Sequence, residues 1–277
     1  MRTKILVCGS TGFLMANFIR YILYRSKDFE IISIDNLNQL SDTRRIYFNK
    51  NHRFYIGDPS DKEFMTKILH LEKPNLIVCG DEIYDYDVLL KTALNLFDVN
   101  IPLIMVLPVT SSTDPNQMCV PIKNVLINSG NTVIELPNRF GMRQKTRNFN
   151  AFGGNLAFII WAYLYKDGVS VSNHQVPWVY AEDVASFLWY IIENKRTGVV
   201  RMPPLGYISE REMVEKIQQT IDQKFNILES SFGDSRGLIK KYDFDTFNGW
   251  ISDSKNLESV LEKTIRWFEA NRWALKE

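Results

Sequence analysis

Gly9 and Gly12, in the run Lys4-Ile5-Leu6-Val7-Cys8-Gly9-Ser10-Thr11-Gly12-Phe13, lie between an apolar strand pattern and a helical one. Glycines at such a junction allow a tight turn and the close approach of a pyrophosphate, which then rests on N–H groups at the positive end of the helix. About twenty residues on, Ile34-Asp35 closes a second apolar run, where a carboxylate can accept from an adenosine ribose 2′-OH and so favours NAD over NADP. A strand-end aspartate also serves simply to cap the turn that follows it. The spacing calls for a third glycine at position 15, and Met15 stands there, followed by Ala16. A methionine at that point is expected to lift the helix off the strand or to crowd the diphosphate.

No other grouping supports a separate chemistry. His52, His70 and His174 are scattered without metal-ligand spacing, and there is no Gly-x-Ser-x-Gly elbow or Cys–His partnership. Arg139, Arg143, Lys145 and Arg147 form a basic run that either meets a nucleotide diphosphate or is a solvated loop. Tyr84-Asp85-Tyr86-Asp87 reads as an acidic loop with half-buried rings, with Tyr84 or Tyr86 as a less favoured relocated base.

The elements that must position these residues alternate steadily. Ile5–Cys8, Ile31–Asp35, Phe54–Ile56, Leu76–Cys79, Leu103–Leu107 and Thr132–Leu136 read as buried strands, with amphipathic stretches Phe13–Arg25, Lys62–Leu71 and Val88–Phe97 between them. That alternation predicts an α/β fold, a Rossmann-type doubly wound parallel sheet covered on both faces. The expected division is a dinucleotide-binding domain over 1–150, to which 172–196 returns, and a smaller C-terminal α/β lobe over 151–171 and 197–277. Leu156–Tyr165 is hydrophobic nearly all round but too short to span a membrane, so a buried or interface helix is expected.

The chain's 277 residues are 45% hydrophobic and carry a formal charge of +1, with charges interspersed. No basic field argues for nucleic acid or an anionic membrane. Cys8, Cys79 and Cys119 are few, odd in number and far apart, which suits a reducing compartment; Cys8 and Cys79 read as small buried hydrophobes. The apolar run after Met1-Arg2-Thr3-Lys4 is too short for a signal peptide, and the expected location is the cytoplasm.

Gly9-Ser10-Thr11-Gly12-Phe13-Leu14, Asn17–Leu23 and Phe29–Asp35 are similar to the start of the dTDP-glucose 4,6-dehydratases, within the NAD-dependent epimerase/dehydratase type of the extended short-chain dehydrogenase/reductase family. The likeness continues through Arg53–Asp58 and Lys73–Val78, and returns at Val179-Tyr180-Ala181-Glu182-Asp183-Val184-Ala185 and at Lys263–Trp273. The resemblance implies tightly held NAD used as an internal hydride shuttle on a nucleotide-bound hexose, with Asp58 near the adenine. The candidate cofactor-binding set is therefore Gly9, Thr11, Gly12, Phe13, Leu14, Asp35, Asn36, Asp58 and Pro59. The family's chemistry uses a Tyr-x-x-x-Lys pair, in which the lysine lowers the tyrosine pKa, and an Asp–Glu pair for the elimination.

The centre of the chain departs from that pattern. Between Tyr86 and Tyr163 there is no tyrosine. Cys119-Val120-Pro121-Ile122-Lys123 keeps Lys123 but offers a thiol in the tyrosine's place, and Pro121 disturbs the helix unless the helix starts there. Ser112-Thr113-Asp114 resembles the family's Thr-Asp-Glu, with Pro115 where the glutamate should be. Pro177-Trp178 stands where the family has an Arg–Asp pair, and Gly80-Asp81-Glu82 replaces a small apolar pair beside the cofactor. Lys123, Cys119 and Asp114 are the candidate catalytic residues. Three readings follow: a degenerate dTDP/UDP-glucose dehydratase-like protein acting as a regulatory or partner subunit, an active nucleotide-sugar enzyme using non-standard residues, or an interaction protein that keeps only the fold. A nucleotide sugar is the expected partner. The family dimerises through the helix that is altered here, so a homodimer and a heteromer with an active relative both stay open.

Overall fold

The computed structural model describes residues 2–38, 41–47, 49–80, 86–97, 99–108, 119–146, 155–166, 168–221, 226–229, 244, 249–254 and 256–275, with the backbone alone for 86, 87, 119, 120, 170 and 226–229. In chain order the elements begin β1 (Thr3–Cys8), α1 (Phe13–Arg25), β2 (Phe29–Asp35), a 3-10 turn (Thr43–Arg45), β3 (His52–Ile56), α2 (Lys62–Glu72), β4 (Leu76–Cys79), α3 (Tyr86–Leu96), β5 (Leu103–Pro108), α4 (Cys119–Asn128) and β6 (Thr132–Leu136). They continue with β7 (Asn138–Phe140), α5 (Leu156–Tyr165), β8 (Gly168–Val171), β9 (Val176–Tyr180), α6 (Ala181–Glu193), β10 (Gly198–Arg201), β11 (Gly206–Ile208), α7 (Glu210–Ile221), β12 (Asn226–Glu229), α8 (Leu257–Ala270) and a closing 3-10 turn (Arg272–Leu275).

Seven strands form one parallel sheet in the order β10-β6-β5-β4-β1-β2-β3. The order reverses beside β1, which makes the C-terminal ends of β1, β2 and β4 the place where an open sheet of this kind leaves a crevice. Period-2 alternation divides the strands between two cores. Ile5, Val7, Val78, Val106 and Ile134 face α1 and α6, whereas Leu6, Cys8, Ile77, Met105 and Val133 face α2, α3 and α4. Burial on both faces explains why these strands read as continuous apolar runs, each large side chain contributing about 1.5–3 kcal/mol.

The predicted strands and crossover helices are all present. The domain boundaries differ from expectation. Gly198–Arg201 was expected in the smaller lobe, but β10 is the edge strand of the main sheet, hydrogen-bonded in parallel to β6 and led in by Gly198 N–H to Asn131 O (3.1 Å). A four-residue strand with Val199 outward and only Val200 buried is too short to carry a period. Conversely, β9 is the centre of a separate three-stranded sheet, parallel to β7 on one side and antiparallel to β11 on the other, and Phe140, Trp178 and Tyr180 join the core of α5, α7 and α8. From 172–196 it is α6 that returns to the main domain, packed on α1. Trp178 is wholly buried there, its indole N–H donating to Ile208 O (3.0 Å). Helix α5 is buried on most sides, as expected, with Phe158 and Tyr165 outward. Among the described residues no helix is long and apolar enough to cross a membrane.

His52 shows how polar groups are settled inside this sheet. Its Nδ1–H donates to Tyr47 O (2.8 Å) and its Nε2 accepts from the Ser33 hydroxyl (2.7 Å), so the neutral ring is the one that fits. Burial pushes its pKa below the usual imidazole range, outweighing the opposing effect of the Tyr47 carbonyl. Since the unfolded ring titrates near about 6.5, this contribution is present above that pH and is lost as the pH falls through the lower folded value. Thermal melts between about pH 8 and about pH 5.5 should show a steeper loss of Tm for the wild type than for His52→Gln. Equal slopes would show that His52 does not carry this dependence.

Candidate functional site

The turn between β1 and α1 is built as a phosphate cradle. Gly9 adopts φ of 70°, a left-handed conformation that glycine takes without strain, and Gly12 N–H closes the turn on Gly9 O (3.1 Å). The first bond of α1 runs from Ala16 N–H to Gly12 O (3.1 Å). By helix geometry the N–H groups of Phe13, Leu14 and Met15 therefore have no intrahelical acceptor, and they lie at the positive end of the helix dipole. The side chains of Phe13 and Leu14 are buried in the core, so what these two can offer a ligand is main-chain N–H. Ser10 Oγ and Thr11 Oγ1, both buried in the same turn, have no hydrogen-bond partner among the described residues.

Asp35, at the end of β2, is 3% exposed. Its Oδ2 accepts from Thr11 N–H (2.8 Å), and its Oδ1 accepts from Leu37 N–H (2.8 Å) and the Ser41 hydroxyl (2.5 Å). Leu37 adopts φ of 54°, a strained conformation for a branched side chain, in the turn that delivers its N–H to Asp35. Gly9, Gly12, Asp35, Asn36, Asn38, Ser41 and Pro59 line one pocket at the C-terminal ends of β1, β2 and β3. Five of these belong to the set read from sequence. Asn38 and Ser41 were missed, although a run of small polar residues after a strand-end aspartate is the available signal. Asp58 is turned to local use, its Oδ1 accepting from Ser60 N–H (2.8 Å).

Met15 neither lifts α1 nor stands in the pocket. It is 1% exposed and packs toward the end of β4, where a Cβ added to Gly80 would lie 2.5 Å from Met15 Cγ. Gly80 remains tied to β1, its N–H donating to Cys8 O (3.1 Å). The missing glycine on the helix is thus matched by a glycine on the strand beneath it.

Of the three catalytic candidates, Lys123 is the one whose side chain is described. Asp114 lies outside the described residues, as do Asp81, Glu82, Tyr84 and Asp85, and the side chain of Cys119 does too. Pro121 falls in the first turn of α4, where its missing N–H costs nothing. Lys123 is taken up by an ion triad. Its Nζ lies 2.7 Å from Glu135 Oε1, while Arg201 Nε lies 2.8 Å from Glu135 Oε2, so both oxygens of a carboxylate 3% exposed are engaged. Glu135 and Arg201 were not singled out from sequence, because three residues on three elements leave no spacing signal.

The basic run also turns inward where it is described. Arg139 is buried in β7, Arg143 packs over the Trp267 ring with Nη1 near Asn17 Oδ1 (3.4 Å), and Lys145 Nζ donates to Ser41 O (2.6 Å). Cys8 and Cys79 are register partners on β1 and β4; the Cys8 side chain and burial push the Cys79 thiol well above its ordinary pKa, which suits the packing role read from sequence. Among the described residues no group of His, Cys, Asp and Glu could hold a metal ion.

No protein-family model and no curated protein matches this sequence. Solved structures share its fold along nearly the whole chain. A dTDP-glucose 4,6-dehydratase from Bacillus anthracis in complex with NAD is 17% identical, with a TM-score of 0.83 over 99% of this chain and 98% of that one. A UDP-glucose 4-epimerase from Thermotoga maritima with UDP-glucose is 17% identical, TM-score 0.78, over 98% and 100%. The Bordetella bronchiseptica enzyme WbmG in complex with NAD and UDP is 14% identical, TM-score 0.78, over 98% and 96%. At these identities the likeness is one of fold.

The Met15–Gly80 contact gives a direct test of the helix–strand fit. Gly80→Ala should destabilise the protein by about 1–3 kcal/mol through overpacking. In a Met15→Ala background the same change should cost less than half as much, read by urea denaturation as a coupling energy. Equal costs in both backgrounds would show that the two positions do not share the space.

Proposed function

We propose that this chain is a dTDP/UDP-glucose 4,6-dehydratase-like protein of the extended short-chain dehydrogenase family that binds NAD beside Asp35 and has lost the dehydratase reaction. The observation that carries the binding half is the pocket itself: a left-handed glycine turn, a helix start with N–H groups to spare and a buried carboxylate meet at the C-terminal ends of adjacent parallel strands. In this reading the adenosine ribose donates its 2′-OH to Asp35, and the pyrophosphate takes the N–H groups of Phe13, Leu14 and Met15. Ser10 and Thr11 supply hydroxyls that lack a partner among the described residues. Bound NAD supplies a hydride acceptor and donor; the protein supplies orientation and electrostatics. The presence of NAD, UDP and UDP-glucose in proteins of the same fold supports this choice of ligands.

The silent half rests on residues. A general base must reach the proton it removes, and no tyrosine occurs between Tyr86 and Tyr163. Lys123, which in the family lowers the tyrosine pKa, spends its charge on Glu135. Pro115 cannot replace the glutamate of the elimination. What remains is a nucleotide-sugar-binding subunit of the cytoplasm, working as a homodimer or as partner to an active relative.

Supernatant from heat-denatured protein should contain NAD, and calorimetry on stripped protein should give one site, with NADP weaker. Asp35→Ala should weaken NAD by about tenfold or more, the cost of a lost charged hydrogen bond. Incubation with dTDP-glucose or UDP-glucose should yield no 4-keto-6-deoxy product. A wild type that binds no NAD overturns the first half; turnover that disappears in Cys119→Ala or Lys123→Ala overturns the second.

A further inference from the structure

Two hydrogen bonds running in opposite directions tie the ribose side of the pocket to the segment that leaves the main sheet for the smaller lobe. Arg45 Nη2 donates to Arg143 O (2.5 Å), and Lys145 Nζ donates to Ser41 O (2.6 Å). Ser41 is also the residue whose hydroxyl donates to Asp35. Arg45, 3% exposed, places its other terminal nitrogen on Thr11 O (3.0 Å), where Asp42 N–H arrives as well (3.3 Å). Thr11 is thereby gripped at both of its peptide groups, its carbonyl by Arg45 and its N–H by Asp35. Arg143 adopts φ of 72°, a left-handed conformation, where its carbonyl meets Arg45.

We propose that Arg45 is a positioning residue for dinucleotide binding: by holding Thr11 O and Arg143 O together it sets the orientation in which Asp35 meets the adenosine ribose. This rests on the reading of the pocket given above. A guanidinium suits the task because its rigid fork serves two acceptors in fixed directions, which a lysine ammonium does not do. Burying a guanidinium is expensive unless its donors are engaged. Here its acceptors belong to the glycine turn and to the residue two before Lys145, both bonded to groups that hold Asp35.

ADP and 2′-deoxy-ADP are the probes, since they differ only in the hydroxyl that Asp35 accepts from. Calorimetry on stripped wild type should show ADP tighter by about tenfold, the net worth of one hydrogen bond to the hydroxyl. In Arg45→Met that ratio should fall toward one, and Arg45→Lys should keep part of it. Glu72→Gln is the control: Glu72 holds Arg53 and Tyr55 (2.6 and 2.5 Å) in a network that also reaches Lys4, at the opposite end of the strands. It should lower Tm and leave the ratio intact. Should Arg45→Met not fold, Arg45→Lys carries the test. A ratio unchanged in the Arg45 variants, or lost equally in Glu72→Gln, overturns the proposal while leaving NAD binding in place. A wild type that binds neither probe overturns both.

Discussion

A carboxylate buried at the C-terminal edge of a parallel sheet must find donors close by, and Asp35 takes three, from Thr11, Leu37 and Ser41. Without them, desolvation would cost several kcal/mol. Thr11 is within reach because β1 and β2 pair in parallel with Cys8 opposite Ile34, which brings the residues after one strand beside the end of the other. Leu37 accepts a strained backbone in the turn that brings its N–H to Asp35, and Ser41 brings the following loop back over the strand end. The pocket walls are thus what is left once Asp35 has been satisfied. Two oxygens with three donors still have lone-pair capacity for a hydroxyl, so a group that organises the protein can also receive a ligand.

The contact between Met15 and Gly80 shows how the helix–strand junction closes without a third glycine on the helix. The close helix–strand approach requires that the sum of two side chains stay small, not that one chosen position be glycine. With Met15 on α1 and Gly80 just after β4, the methionine side chain fills the volume that a Cβ at position 80 would need. Methionine is suited to this by its flexible, unbranched shape. The side chain at position 15 is thereby accommodated against the end of β4, and the pocket lining contains neither Met15 nor Gly80.

The main sheet was legible because its strands are buried on both faces and separated by helices long enough to cross over; Leu76–Cys79 and Thr132–Leu136 coincide with β4 and β6. The smaller sheet was not, since all five residues of β9 are buried and an apolar run of that length does not say which sheet it joins. The glycine turn and Asp35 were readable from local spacing. Ser41, Arg45 and Glu135 were not, because each acts through partners supplied by tertiary pairing: Arg45 reaches Arg143 across 98 residues, and Glu135 meets Arg201 across 66. Lys123 was readable as a residue, but its ion pair with Glu135 was not.

On the proposed reading, Lys123 also bears on why the reaction would be difficult to restore. Glu135 lies on β6 facing α4 and is 3% exposed, so its charge depends on the cations that reach it. Arg201 is partly in solvent and Lys123 is the better buried of the two, with side-chain exposures of 44% and 17%. Withdrawing Lys123 to lower the pKa of a base on α4 would take the better-buried of these two cations from a buried carboxylate, a change that costs more than a surface pair is worth. A tyrosine introduced at position 119 would therefore meet a lysine already committed. On the proposed reading, recovery of the chemistry needs Glu135 changed together with the base, because the ammonium that the family spends on catalysis is here part of what holds α4, β6 and β10 together.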